Sequence, residues 1–256
     1  MKLKHSLLGV LMLSTVLPLA LGFYFLVSMV TEQHKTQVEE SLSAITQIAK
    51  FRILSSAQRI KDNTALIASR TQLRRSLQLY KETSDMAHLK RVQNIINDAS
   101  SSIPSIQEIT IYQQNSEPLV STLSGKLNSP QLKSHPVPTI DLEDRGGQTI
   151  MNSFAPLTLN GANIGFMKVS FIPDFIEQII EQGRGLGATG EWIVAVKDEN
   201  GDALFASRTK YQNEGAFNRI VPKDQLKIPI TQALAGNDVI MWDAVDYAGN
   251  EVVAST

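Results

Sequence analysis

Apolar residues run without a charge from Leu7 to Val30, preceded by Lys2, Lys4 and His5 and followed by a polar, helix-patterned segment. At about 24 residues the run can cross the roughly 30 Å hydrocarbon core of a bilayer as one helix. A cleaved signal peptide needs an apolar core of only about 7 to 15 residues and a small-x-small site. Ser28, Met29 and Val30 make a poor site, so the pattern predicts an uncleaved anchor. Pro18 is tolerated in such a helix because neighbouring groups re-satisfy the freed carbonyl, and a kink near Ser14 is expected. Lys2 and Lys4 predict a cytoplasmic stretch over 1–6, a membrane helix over 7–30, and everything from Thr31 onward outside.

From Thr31 to about Ser100 the period is helical. Leu42, Ile45, Ala49, Ile53, Ala57, Ile60, Thr64 and Ile67 form one stripe with a mean spacing close to 3.6. No Pro or Gly interrupts Thr31 to Ser102, so the helix is expected to continue straight out of the membrane and to carry displacements of its outer end to the bilayer. The polar run Lys81 to Asp85 predicts a break, with Ser84 or Asp85 capping a second helix through Asn97. A strict heptad lasts only about two repeats, which argues against a plain coiled-coil stalk.

After Pro104 the period changes to two. Ile106, Ile109 and Ile111 alternate with Glu108, Thr110 and Tyr112, predicting a strand with one buried face, and Gln114 to Glu117 turn the chain toward a second strand at Leu119 to Thr122. Pro130, Pro136, Pro138, Gly146 and Gly147 predict a loop from Ser124 to Gly147. Thr149–Leu159 and Ala162–Ile172 read as strands of a hairpin turned by Asn160-Gly161, and a helix with apolar Phe175, Ile176, Ile179 and Ile180 runs from Pro173 to Gln182. A second unit follows, with strands at Glu191–Val196, Ala203–Ser207, Val239–Val245 and Glu251–Ala254 and a short helix from Ile228 to Ala235. The expected class is α+β: a transmembrane helix, a long signalling helix, and two stacked lobes with antiparallel sheets.

The outer part, roughly 225 residues, is long enough for one large or two small cores. Its charge is balanced, 24 Lys plus Arg against 25 Asp plus Glu, so no broad basic surface points to nucleic acid. The chain has no Cys, which excludes a disulfide framework and thiolate metal sites. Gly185-x-Gly187-x-x-Gly190 matches a dinucleotide fingerprint, but it follows a helix and precedes a strand, the reverse of the context that holds a pyrophosphate. It reads instead as a flexible turn between lobes. His5, His34, His88 and His135 are scattered, and Asp243, Asp246 and Glu251 flank a turn, so no metal site, cofactor or catalytic constellation is expected.

The segments Gly185 to Glu191, Val194 to Asp202, Ile230 to Gly236 and Val245 to Gly249 resemble the membrane-proximal lobe of double Cache domains, the PAS-like extracytoplasmic sensors of bacterial histidine kinases, diguanylate cyclases and chemoreceptors. Ala155 to Gly161 and Gly165 to Phe171 are similar to the end of the distal lobe. The resemblance implies a helical stalk over 31–100, a distal lobe over 101–182 and a proximal lobe over 183–256. It also implies a bacterial inner-membrane receptor with a periplasmic sensor region, dimeric through the long helix. Four strands where the fold uses five make the second lobe look truncated, and a fragment of a longer protein is expected. A histidine kinase is the favoured output, with a diguanylate cyclase, a chemoreceptor, or a self-contained anchored binding or scaffold protein as alternatives. The aromatic and arginine cluster of amino-acid-binding members is not visible, which leaves the ligand class open.

A pocket is expected in the distal lobe, between its sheet and the Ser124 to Gly147 loop. On the last strand Met167, Val169 and Phe171 should face the long helix, leaving Phe166, Lys168 and Ser170 for the pocket. Tyr112 and Asn152 join them by the same alternation, and Arg145, placed in the loop, could close over an anionic group. The ligand-binding candidates are thus Tyr112, Arg145, Asn152, Lys168 and Ser170, for a small solute whose options include an anion.

Overall fold

The computed structural model describes residues 2–123, 140–181, 186–187, 189–210 and 215–256. Helix α1, Lys2–Ala68, spans roughly 100 Å at 1.5 Å per residue and holds Pro18 within it. Its apolar part from Ser14 onward is exposed on all sides and is long and apolar enough to cross a membrane. Helices α2 (Thr71–Thr83) and α3 (Met86–Ser102) follow.

The lack of Pro and Gly predicted one helix from Thr31 to the polar break near Lys81. Instead α1 stops at Ala68, where Ser69 and Arg70 turn the chain so that α2 can pack on the sheet. Arg74 locks this turn: its Nη2 donates to the Ser69 carbonyl at 2.7 Å and its Nη1 to the Thr158 carbonyl at 3.1 Å. Tertiary packing outweighs propensity here, since every residue near the break is an adequate helix former. The second break falls as expected. Ser84 takes the left-handed conformation at φ 57°, and the Asp85 carboxylate accepts from Ala87 N at 2.8 Å to cap α3.

Five strands form the main sheet: β1 (Ile106–Tyr112), β2 (Pro118–Ser121), β3 (Ile140–Arg145), β4 (Gln148–Leu159) and β5 (Ala162–Phe171). Their order is β2-β1-β5-β4-β3 and every pairing is antiparallel. Strand β5, last in sequence, is therefore central. Asn160 and Gly161, at φ 52° and 81°, turn the β4–β5 hairpin with the left-handed pair that such a turn demands.

Strand β3 corrects the loop expected from Ser124 to Gly147. Ile140 and Leu142 alternate with Asp141 and Glu143, and Gly146-Gly147, at φ 68° and 85°, turns β3 into β4. The glycines taken as loop residues make a two-residue hairpin turn. Residues 124–139, the rest of that expected loop, lie outside the described residues.

One face of this sheet is apolar and meets the helices. Ile109, Ile111, Leu157, Met167, Val169 and Phe171 pack with Ile60 and Ile67 of α1, Leu73 and Leu77 of α2, and Val92 and Ile96 of α3. Burying each such side chain stabilises the fold by about 1.5–3 kcal/mol, which fixes the register because a one-residue slip would turn the whole set outward. Helix α4 (Asp174–Glu181) then carries buried Ile176 and Ile179 beside α1.

The second unit differs from the single four-stranded sheet expected. It contains a three-stranded sheet, β6 (Ala195–Lys197), β7 (Ala203–Phe205) and β8 (Ile220–Val221), and a separate hairpin of β9 (Ile240–Val245) and β10 (Glu251–Ser255). Helix α5 (Pro229–Ala235) lies between them in sequence. The two-residue β8 was missed because Ile220 and Val221 are too short a run to show a period. A small core of Ala203, Phe205, Val221, Ile230 and Tyr247 holds this unit, with Tyr247 edge-on to Phe205 at 5.8 Å. Among the described residues no strand pairing joins it to the main sheet, and Thr149 Oγ1 donates across the boundary to the Ala206 carbonyl at 3.1 Å. Of the glycines expected to form a flexible turn between the units, Gly183 and Gly185 lie outside the described residues.

Candidate functional site

With Met167, Val169 and Phe171 turned to the helices, the alternate residues of β5 occupy the opposite face of the main sheet. Register then gathers the other candidates there. Lys168 sits opposite Thr110 on β1 and Phe154 on β4, and Ser170 opposite Glu108 and Asn152. Tyr112 pairs with Phe166, and Asn152 with Asp141 of β3. Arg145 shares the face at the end of β3, two and four residues beyond Glu143 and Asp141. The structure thus brings Tyr112, Arg145, Asn152, Lys168 and Ser170 onto one surface, although Arg145 belongs to a strand and not to a closing loop.

This surface is polar yet largely buried: Thr110 and Ser170 are fully covered, and Asn152, Tyr112 and Lys168 are exposed by only 1%, 2% and 7%. Ser170 Oγ donates to Asn152 Oδ1 at 2.7 Å. Glu108 is the hub that the alternation pattern contained but that was not singled out. Its Oε1 accepts from Thr110 Oγ1 at 2.8 Å and from Ser121 Oγ at 3.1 Å, and its Oε2 accepts from Arg145 Nη1 at 3.1 Å. Arg145 Nη2 also donates to Glu143 Oε1 at 2.6 Å. The signal that could have found Glu108 was its place one step from Ile109 on a strand whose other face is wholly apolar.

Electrostatics separates the two cations. Burial alone would raise the Glu108 carboxyl, but hydrogen bonds from Thr110 and Ser121 and the charges of Lys168 and Arg145 hold it below the usual value. Burial opposes the Arg145 charge, yet the hydrogen bonds and charges of Glu143 and Glu108 outweigh it and keep the guanidinium firmly protonated. Tyr112 is pushed up to about 12, first by burial and then by the charge of Glu108. Arg145 is therefore already matched by two carboxylates. Lys168 has no hydrogen-bonding partner among the described residues; its ammonium, Glu108 aside, is unspent.

Lys168 thus covers its stem and keeps its ammonium within reach of solvent, as long cationic side chains do. Among the described residues no group of His, Asp and Glu could hold a metal ion. The chemistry available is recognition: a cation and several hydroxyl and amide groups share this face with Phe154, Phe166 and Tyr112. A separate cavity of about 500 Å3, apolar in its lining, lies between α1 and the second unit.

No family model and no curated protein matches the sequence. Solved structures do resemble the fold. The sensor domain of the V. cholerae histidine kinase DctB aligns over 61% of this chain at 15% identity and a TM-score of 0.47. The sensory domain of the Campylobacter jejuni chemoreceptor Tlp3 aligns over 68% of this chain and 85% of its own length, at 11% identity and 0.43. A domain of a putative sensory box/GGDEF family protein from Vibrio parahaemolyticus aligns over 52% of this chain and 61% of its own, at 15% and 0.37. The chain spans 62% of the DctB sensor domain. These structures are sensor domains of histidine kinases, chemoreceptors and GGDEF proteins; no residue role passes from them to this chain.

Proposed function

We propose that this chain is the extracytoplasmic sensing module of a membrane-bound signalling receptor, with two Cache-like lobes carried on α1. A small solute binds the polar face of the main sheet. The observation that carries this reading is Lys168, a largely covered side chain whose ammonium has no hydrogen-bonding partner among the described residues, set among Tyr112, Asn152, Ser170 and the Glu108–Arg145 pair. An anionic group on the solute completes Lys168, while the aromatic rings nearby cover its apolar part.

The other face of the same sheet packs on α1 near Ile60 and Ile67, so a solute that favours one arrangement of the sheet biases the helix. Such a solute shifts the equilibrium only by its difference in affinity for the two arrangements, typically about 1–3 kcal/mol. The helix leads to the apolar segment ending at Val30, which in this reading crosses a bacterial inner membrane with the sheets in the periplasm. The receptor works as a dimer through α1, and its output is a sensor histidine kinase; a diguanylate cyclase or chemoreceptor would use the same module. A topology reporter fused after Thr256 should be active outside the cytoplasm, and cytoplasmic activity would reverse the orientation.

A further inference from the structure

Helix α1 is a ruler for height above the apolar segment, because it rises by about 1.5 Å per residue. Lys50, which pairs with Asp238 just before β9, lies roughly 30 Å beyond Val30. Glu39 and Lys35, which hold Trp242 within β9, lie only roughly 14 Å and 8 Å beyond it. Strand β9 therefore descends along α1 toward the apolar segment. The turn that follows it shares a hollow with Gln37 and Val38, at the same height as Trp242.

The headgroup layer of a bilayer is roughly 5–8 Å deep on each side of a hydrocarbon core of about 30 Å. Side chains of an α-helix lean toward its N-terminus, so the Lys35 ammonium and the Glu39 carboxylate reach from their own Cα atoms toward that layer. Trp242 is 40% exposed, and Glu39 Oε1 already accepts its Nε1–H at 2.6 Å. What the side chain still offers is ring surface, with the Lys35 ammonium 5.2 Å from the ring centroid. The N–H is thus tied to the residue farther from the apolar segment and the ring lies beside the nearer cation. An indole with one wet end and one apolar end, next to a Lys, is the kind of side chain that settles at a bilayer surface.

We propose that the second unit rests on the bilayer that α1 enters, with the Trp242 ring seated among zwitterionic phospholipid headgroups and the Lys35 ammonium on a lipid phosphate. This seat follows only if residues 7–30 cross the membrane, as proposed above, and it needs no solute at the main sheet. The class of lipid follows from charge. Glu39 is taken up by Trp242, and at this height the exposed carboxylates of Glu32, Glu40 and Asp243 outnumber Lys35, with His34 a second cation only when protonated. A headgroup that carries both an ammonium and a phosphate answers both signs, whereas an anionic headgroup is repelled by the carboxylates. Because Trp242 is fastened to α1, an axial movement of the helix changes how deep the ring sits. Lipid composition then biases the same two arrangements that a solute biases.

Fluorescence of the full chain in lipid nanodiscs tests the seat. The sequence has 2 Trp, Trp192 and Trp242, so Trp192→Phe leaves Trp242 as the sole indole. If that variant does not fold, the difference between the wild type and Trp242→Phe gives the same reading. In phosphatidylcholine nanodiscs Trp242 should lose most of its emission to a nitroxide carried on the lipid headgroup, and little to bromines near the ends of the acyl chains. Lys35→Glu, or phosphatidylglycerol as the host lipid, should weaken the headgroup quenching. Emission untouched by the headgroup nitroxide, in a chain that stays with the nanodisc, overturns the proposal and leaves the spanning helix standing. Quenching by the deep bromines as strong as by the headgroup nitroxide overturns it too, as does headgroup quenching that Lys35→Glu and phosphatidylglycerol leave unchanged or increase. A chain that does not stay with the nanodisc refutes the spanning helix, and the seat with it.

Discussion

Trp242 Nε1 donates to Glu39 Oε1 at 2.6 Å, tying strand β9 to a point on α1 two helical turns beyond Thr31. The ammonium of Lys35, one turn nearer the apolar segment, lies 5.2 Å from the same indole ring. With the Lys50–Asp238 pair, these contacts fasten the second unit to α1 at two heights. Each is exposed, so their value lies more in position than in strength.

Trp242→Ala should therefore leave global stability within about 1 kcal/mol, since it removes one exposed hydrogen bond and one cation–π contact. Its effect should be local. Hydrogen exchange of the β9–β10 hairpin should quicken while that of β4 and β5 stays unchanged, and uniform quickening would mean that Trp242 supports the whole fold.

Gly165 lies on β5 at φ 151°, where an added Cβ would collide with the Tyr112 carbonyl on the neighbouring strand. Because the obstacle is backbone and not a flexible side chain, Gly165→Ala should cost on the order of 1–3 kcal/mol in denaturant unfolding. A change below about 0.5 kcal/mol would mean that β1 and β5 are not so closely apposed there.

The helices and the main sheet were largely legible because their periods are clean. The Ile106–Tyr112 alternation, the Asn160-Gly161 turn and the Asp85 cap each state their structure locally. The break at Ser69 was not legible, because no residue there disfavours helix and its cause is Arg74 reaching the carbonyl of Thr158, distant in sequence. Strand β3 was hidden by the prolines and glycines around it, although Gly146-Gly147 was itself a hairpin signal. For the site, alternation was enough to select Tyr112, Asn152, Lys168 and Ser170, but strand order decides which charges meet. That Arg145 would join Glu108 across the sheet depends on the order β2-β1-β5-β4-β3, which no single strand encodes.

The titration of Tyr112 follows from its burial. Its hydroxyl ionises near 10.0 in the unfolded chain and is pushed up to about 12 in the fold. Between those values the folded state holds a proton that the unfolded state has lost, so this contribution is complete below pH 10 and fades as pH rises toward 12. Tyr112→Phe should flatten that part of the stability curve, with a matching loss in the phenolate absorbance titration. Ionisation of Tyr112 near pH 10 in the folded protein would show it to be open to solvent.

Glu108 acts at the other end of the scale. Its carboxyl is held below 4.5 in the fold, so its contribution is present above the unfolded value and is lost as pH falls through the folded one. Glu108→Gln should remove this acid-side dependence and leave Arg145 with Glu143 as its one carboxylate among the described residues, weakening the sheet face at neutral pH. An unchanged acid limb of the stability curve would contradict the hub role.

The most direct measurement is the melting temperature of the full chain in nanodiscs against a panel of small carboxylates, for the wild type, for Lys168→Ala and for Lys168→Ala with Arg145→Ala. A carboxylate that binds should stabilise the wild type by roughly 2.7 kcal/mol at 100 times its dissociation constant, readily visible as a shift. Lys168→Ala should abolish the shift, and the double variant should show none. A shift that survives in the double variant would contradict the assignment of the sensing site to the polar face of the main sheet.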